Sequence, residues 1–232
     1  MSHPIAAAAS ALLGVPAGWL AWLWAQRFIE GRRLEEGDTE VRLPLGTALP
    51  LAVAVFASLG WRFASSPATL GVYLVVFAVL MVLLLVDFGR YCLPDPLVAL
   101  GLGLGLAGVV GVSVATGESS TIELAVAGMI ITLVVYVAFF LIALVLFGNQ
   151  AFGLGDVKLS AVLGLVIGCI TGDYRQLAAL IIWSVFIGFL SGPVASLVLL
   201  RGVKMRSPFP QGPFLILGTL AVVLFSSQIL GT

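Results

Sequence analysis

The sequence predicts an all-α, polytopic membrane protein, a helical bundle with about eight transmembrane helices. Of its 232 residues, 61% are hydrophobic and only 9% are charged, and the mean hydropathy is +1.18. Soluble domains carry about 25% charged residues. The charged residues here are grouped in short stretches that separate apolar runs of about 20 residues, the length that crosses a bilayer. Composition therefore excludes an ordinary soluble domain.

Eight apolar runs follow one another along the chain, and the sixth is the shortest. No basic residue precedes the first run, so we expect a first membrane helix there and no cleaved signal peptide. We expect one integral membrane domain over residues 1–232, with residues 28–42 as a short cytoplasmic loop. The predicted spans are roughly 9–27, 43–63, 68–87, 96–115, 122–147, 157–171, 176–200 and 212–230.

The distribution of Lys and Arg predicts the orientation of these spans. With eight helices, only Arg62 and Arg175 fall on one side of the membrane. The richer side should be cytoplasmic, and Asp87, Asp95 and Asp156 fall at that face. Its basic residues are Arg27, Arg32, Arg33, Arg42, Arg90, Lys158, Arg201, Lys204 and Arg206.

No metal ion, cofactor or nucleic-acid partner is expected. One histidine and two widely separated cysteines cannot supply a zinc site. Two carboxylates without a third ligand make a poor Mg²⁺ or Ca²⁺ site. The G-x-G-x-x-G pattern at 103–108 lies inside an apolar span with no preceding strand. We interpret its surroundings as helix packing, with Gly101 and Gly105 spaced for close backbone approach.

Two aspartates stand at the ends of apolar runs. Asp87 closes the third run, where a carboxylate meets the negative end of the helix dipole; the alternative is a solvated loop residue. Asp156 follows Gly153 and Gly155 and opens the sixth run, beside unpaired N–H groups; the alternative is an ordinary N-cap. Acids at a membrane edge are candidates for function.

The two carboxylates would form a catalytic pair if the third and sixth helices touch. Two close carboxylates share a proton, so one can activate a water while the other protonates a leaving amine. We expect Asp87 to hold the proton and Asp156 to act as the ionised base. Asp95, before Pro96, is predicted to cap the next helix or to support the site.

Three motifs in this order resemble the prepilin peptidases, the type IV leader peptidases among the GxGD intramembrane aspartyl proteases. They are Asp87 seven residues before the proline of Leu93-Pro94-Asp95, the stretch GLGDVKL at 153–159, and PQGPF at 210–214. The resemblance covers about residues 70–220, a peptidase-like core. It implies that Asp87 and Asp156 are catalytic, with supporting residues Gly153, Gly155, Lys158, Pro94, Asp95, Gly212 and Pro213.

The resemblance implies a membrane aspartyl endopeptidase. Its partners would be the lipid bilayer and a pilin, pseudopilin or Flp-type precursor, with a basic leader before a hydrophobic helix. Cleavage would occur at the cytoplasmic face of the inner membrane. Larger family members carry a four-cysteine cytoplasmic segment and also N-methylate the product, whereas residues 28–42 contain no cysteine. The chain resembles the short form, so N-methyltransferase activity is not expected.

Two other functions fit the sequence. A small ion- or proton-coupled transporter could use the same two aspartates, although its acids would be expected near mid-span and not at helix ends. A non-catalytic assembly factor of a pilus or secretion system is the second alternative.

Overall fold

The computed structural model describes residues 2–30, 44–147, 153–199 and 210–231. These residues form helices joined by short connections, with no strand among them, which confirms the predicted all-α membrane bundle. The chain divides into two compact units, Met1–Cys92 and Leu93–Thr232, each with its own internal packing.

The first unit contains helices α1 (His3–Glu30), α2 (Leu45–Arg62) and α3 (Pro67–Arg90). Helices α1 and α2 pack closely because small residues line their contact. A Cβ added at Gly18 would lie 2.7 Å from the Cβ of Ala52, and one at Gly60 would lie 2.5 Å from Ser10 Oγ. Glycine at these positions lets the two backbones approach. Helix α3 packs against both of its partners and is the most buried of the three.

The second unit contains six helices within its described residues and is organised around α6. Residues 159–168 of α6 are all buried, and α6 contacts α4, α5, α7 and α8. A helix that is apolar all round belongs in an interior. The helices are α4 (Asp95–Thr116), α5 (Ser120–Phe147), α6 (Leu154–Gly168), α7 (Tyr174–Leu199), α8 (Gly212–Leu224) and α9 (Ser226–Leu230).

The contact between α5 and α6 is the tightest in the second unit, and we call it the α5–α6 seam. It is formed by Gly128 of α5 with Gly164 of α6, and by Leu124 and Ala125 of α5 with Gly168 of α6. A Cβ at either Gly128 or Gly164 would collide with the backbone oxygen of the other. The seam therefore depends on the absence of side chains at these positions.

Each of the eight predicted spans corresponds to one helix, α1 to α8. The sixth, predicted at 157–171, is displaced by three residues in the structure. With 15 residues, α6 spans about 22 Å, less than the roughly 30 Å of a hydrocarbon core; α8 has 13 residues. Within the described residues, the helices long and apolar enough to cross a membrane are His3–Phe28, Leu45–Arg62, Pro67–Arg90, Asp95–Thr116, Ser120–Leu146 and Tyr174–Gly192.

Two further expectations concern single segments. The predicted loop at 28–42 lies outside the described residues from position 31 onward, and α1 continues to Glu30. The glycine-rich stretch of α4 is helical, with Gly101 and Gly105 buried and Gly103 exposed. This pattern confirms that the stretch packs as a helix and is not a nucleotide-binding loop.

Candidate active site

Asp87 lies in the last turn of α3. The helix ends at Tyr91, whose φ of 51° is left-handed and whose N–H donates to the Asp87 carbonyl oxygen at 2.8 Å. The left-handed residue stops the helix one turn after Asp87. The Asp87 side chain is 5% exposed. It is therefore a buried helical residue, and the interpretation as a solvated loop residue is wrong.

Asp156 is the third residue of α6 and is 8% exposed. Gly153, with extended backbone angles, occupies the N-cap position, and no side chain caps the helix. The interpretation of Asp156 as an ordinary N-cap is therefore wrong, because the helix begins before it. A Cβ at Gly153 would lie 3.2 Å from Asp156 Oδ2. The carboxylate thus folds back over a backbone that has no side chain there.

Burial separates these two aspartates from the other charged residues. Of the charged side chains that the structure describes, only those of Asp87 and Asp156 are buried. Ionised side chains are almost never fully buried unless their environment compensates the loss of water. Each acid also lies at a helix end, so the predicted placement of both at helix termini is confirmed.

The Leu93-Pro94-Asp95 and GLGD motifs meet in the second unit. A Cβ at Gly155 would lie 3.0 Å from the Cβ of Leu93, so glycine allows α6 to approach the residues that precede α4. Lys158 Nζ forms an ion pair with both Asp95 oxygens, at 2.7 and 2.8 Å. These contacts join the N-terminal ends of α4 and α6.

The predicted capping role of Asp95 is wrong. Pro94 is the N-cap of α4, Asp95 is the first helical residue, and the helix has no side-chain cap. The Asp95 carboxylate is instead engaged by Lys158, a residue 63 positions away in sequence. Pro94, with extended backbone angles, leads the chain directly into this first turn.

The third motif opens α8. Gly212 and Pro213 are the first two residues of the helix, and both are buried. The side-chain amide Nε2 of Gln211 donates to the carbonyl oxygen of Gly188 at 3.4 Å. Helix α8 lies against α7 through Gly188 and Gly218 and also contacts α6. The motif is thus part of the packing around the helix that carries Asp156.

Two buried polar residues of α5 interact with α6, Thr132 beside Gly164 and Tyr136 with Asp156, and neither was predicted from the sequence. Tyr136 is 2% exposed and interacts electrostatically with Asp156. Thr132 is 2% exposed, and its hydroxyl has no hydrogen-bond partner. Both lie inside a long apolar run. A polar side chain among aliphatic ones was the only feature of the sequence that could have pointed to them.

The predicted catalytic pair is divided between the two units, with Asp87 in the first and Asp156 in the second. The pairing of the two acids stays a prediction. Asp95, Lys158, Gly153 and the residues of the third motif all lie in the unit of Asp156. In the part of the chain that the structure describes, no three His, Cys, Asp or Glu side chains cluster as metal ligands would.

Comparison with known proteins gives a family. Residues 74–193 match the model of the type IV leader peptidase family. This range contains Asp87, Asp95, Asp156 and Lys158 and ends before the third motif. The chain belongs to the type IV leader peptidase family. This leader peptidase is therefore a protease, and its long apolar helices make it a multi-pass membrane protein.

Similar proteins of known name extend the match beyond that range. The leader peptidase is 30% identical over 230 residues to a prepilin leader peptidase/N-methyltransferase of Aeromonas hydrophila and to one of Aeromonas salmonicida. Each alignment covers 98% of this chain and 70% of the relative. A protein of the same name from Pseudomonas putida is 33% identical over 193 residues, which is 82% of this chain and 60% of the relative. No solved structure matches the leader peptidase.

Proposed function

We propose that this leader peptidase removes the leader peptide of type IV prepilin-like precursors at the cytoplasmic face of the inner membrane. The substrates would be pilin, pseudopilin or Flp-type precursors with a basic leader and a hydrophobic helix. The observation that carries the proposal is the burial of Asp87 and Asp156 within a chain of this family. The prepilin leader peptidase/N-methyltransferases to which the chain is similar support the substrate class.

In the proposed reaction the two acids have opposite roles. Asp156, in the first turn of α6, is near the positive end of a helix dipole, which favours a carboxylate. Asp87, in the last turn of α3, is near a negative end, which favours the neutral acid. Asp156 takes a proton from a water as the water oxygen attacks the scissile carbonyl carbon. Asp87 gives its proton to the leaving amine nitrogen as the C–N bond breaks.

The proposed substrate explains why the peptidase is a membrane protein. A precursor with a hydrophobic helix partitions into the bilayer and keeps its basic leader at the surface. The bond between these two parts is then held at the depth of the interface. Acids at helix ends, and not at mid-span, suit a bond at that depth.

Co-expression of the peptidase with a prepilin-like precursor tests the proposal. We expect a mobility shift of the precursor with the wild type and none with Asp87→Asn or Asp156→Asn, since acid–base catalysis contributes about 10²- to 10⁴-fold. Glu118→Gln, which neutralises an exposed acid after α4, is the matched control and should cleave normally. Substantial cleavage by Asp156→Asn at neutral pH would contradict the base role.

The same experiment separates the other functions. A precursor left intact by the wild type would favour a transporter or an assembly factor. Mass spectrometry of the mature product then tests the expectation about methylation. We expect a free, unmethylated N-terminus, whereas a methylated one would show that the short form keeps the second activity of the larger relatives.

A further inference from the structure

Tyr136 is a buried polar residue of α5, distinct from the two acids of the proposed reaction. It is 2% exposed, and its ring contacts Phe139 and Phe189. Within α5 the only other titratable residue is Glu123, in the first turn. A phenol enclosed by hydrocarbon needs a polar environment for its hydroxyl, because leaving such a group unsatisfied costs free energy.

The register of the α5–α6 seam places Tyr136 beside Asp156. Leu124 meets Gly168 and Gly128 meets Gly164, so each step of four residues along α5 matches a step of four back along α6. Thr132, one step beyond Gly128, also borders Gly164, so the contact between the two helices continues past Gly128 toward the start of α6. Two further steps from Gly128 reach residue 136, and two from Gly164 reach residue 156. The electrostatic interaction between Tyr136 and Asp156 agrees with this register.

The other titratable groups on the described helices around α6 are paired with other residues or lie at the opposite end of the α5–α6 seam. Helix α4 contributes Asp95, which is paired with Lys158 of α6 itself. Helix α7 contributes Tyr174 and Arg175 in its first turn, and the Tyr174 hydroxyl donates to Glu123 at the Gly168 end of the seam. Helix α8 has no titratable residue. Tyr136 is thus the one such group on α5, α7 or α8 that the register brings level with Asp156, among the residues that the structure describes.

We propose that Tyr136 is a positioning residue for Asp156, whose hydroxyl stabilises the carboxylate that activates the attacking water. The inference rests on the proposed function, because it takes Asp156 as the general base. A hydroxyl that donates toward a carboxylate favours its ionised form. Tyr136 would act through Asp156 and would not contact the precursor.

Kinetics of the purified, full-length peptidase test this role. Tyr136→Phe removes one oxygen and keeps the ring, so the contacts with Phe139 and Phe189 remain. We expect kcat to fall about tenfold with KM unchanged, because hydrogen bonds to charged groups contribute on that scale. Asp156 must be ionised to act as the base, and in the variant its carboxylate is no longer stabilised by the Tyr136 hydroxyl. The acid limb of the kcat profile should therefore move to higher pH.

Tyr73→Phe is the matched control. Tyr73 is also a buried tyrosine stacked on phenylalanines, but it lies in the first half of α3, more than three turns before Asp87. The same chemical change at this site should leave kcat and the pH profile as in the wild type. Melting temperatures of both variants in detergent would be compared, so that a loss of folded protein is not read as a loss of kcat.

The outcomes are distinguishable from those for the proposed function. If Asp156→Asn is inactive while Tyr136→Phe keeps the wild-type kcat and pH profile, the role of Tyr136 is overturned and the proposed function stands. A lower kcat with an unmoved acid limb also overturns it, since a purely structural effect would give that result. If Asp156→Asn cleaves normally, the base assignment fails and the inference fails with it. A lower kcat together with the shifted limb supports the inference.

Discussion

Lys158 Nζ lies 2.7 and 2.8 Å from the two carboxylate oxygens of Asp95, so one ion pair joins the first residue of α4 to the fifth residue of α6. Lys158 comes two residues after Asp156. The side chains are half to two-thirds exposed, at 49% and 67%. Such a pair contributes little to overall stability, typically about 0.2–1 kcal/mol. Because the pair lies close to Asp156, we expect its main effect to be on the orientation of the start of α6.

Charge exchange tests this orientation. Lys158→Glu or Asp95→Lys alone replaces an attraction with a repulsion, and we expect the specificity constant for precursor cleavage to fall about threefold to tenfold. The double exchange, Asp95→Lys with Lys158→Glu, should return it to within about 1.5-fold of the wild type, because the attraction is restored. Arg175→Glu reverses an exposed charge at the far end of the unit and serves as control. Equal defects in the single and double variants would contradict the orienting role.

Substitution of Gly155 should disturb the approach of α6 to Leu93. In Gly155→Ala the new Cβ would lie 3.0 Å from Leu93 Cβ and 3.3 Å from its Cδ1, closer than ordinary carbon contacts. We expect a loss of about 1–3 kcal/mol in stability, measured by thermal melting in detergent, together with reduced cleavage.

A second substitution shows whether Leu93 is the cause of that loss. Leu93→Ala removes the Cγ and Cδ1 contacts, so the double variant should be less destabilised than the sum of the two single ones, by about 1 kcal/mol. If the two losses of stability are strictly additive, the new Cβ at residue 155 collides with a group other than the Leu93 side chain. Gly103→Ala is the control, because nothing lies within 4 Å of its added Cβ and alanine favours a helix by about 0.5–1 kcal/mol.

Gly164→Ala should strongly destabilise the second unit. Its Cβ would collide with the Gly128 carbonyl oxygen and would lie 2.7 Å from Thr132 Cβ. A backbone atom cannot rotate away as a flexible side chain can, so we expect a cost of about 3 kcal/mol or more. The readout is the melting temperature and the yield of folded protein. Gly111→Ala, with open space around its Cβ, should melt at the wild-type temperature or slightly above it, because alanine favours a helix.

Thr132→Val is expected to stabilise the protein. The Thr132 hydroxyl is buried with no hydrogen-bond partner, and valine has nearly the same shape without the polar atom. Removal of an unsatisfied buried hydroxyl should raise the free energy of unfolding by about 1 kcal/mol. A higher melting temperature is the expected result. A clearly lower one would mean that the hydroxyl is satisfied in the protein in solution.

Hydropathy was sufficient to predict α1 to α8, because each helix needs a long apolar run and the few charged residues mark the boundaries. Asp87 and Asp156 could be recognised for the same reason, since each closes or opens such a run. Their burial could not be predicted, because it depends on helices that approach from elsewhere in the chain.

The predicted capping role failed at Asp95, and the N-cap alternative failed at Asp156. An N-cap is defined by one residue position, and at Asp95 the competing partner, Lys158, lies far away in sequence. Tyr136 was missed for a related reason. Its relation to Asp156 follows from the register of the α5–α6 seam, which glycine contacts establish and which the pattern of apolar residues does not reveal.

Helix α6 is enclosed by α4, α5, α7 and α8, and ten consecutive residues after Lys158 are buried. Such a helix exchanges no contacts with acyl chains along that length, so the depth of Asp156 is set by neighbouring protein. Lipids of different chain length would tilt or shift the outer helices first. The carboxylate would keep its place within this scaffold while the surrounding bilayer thickened or thinned.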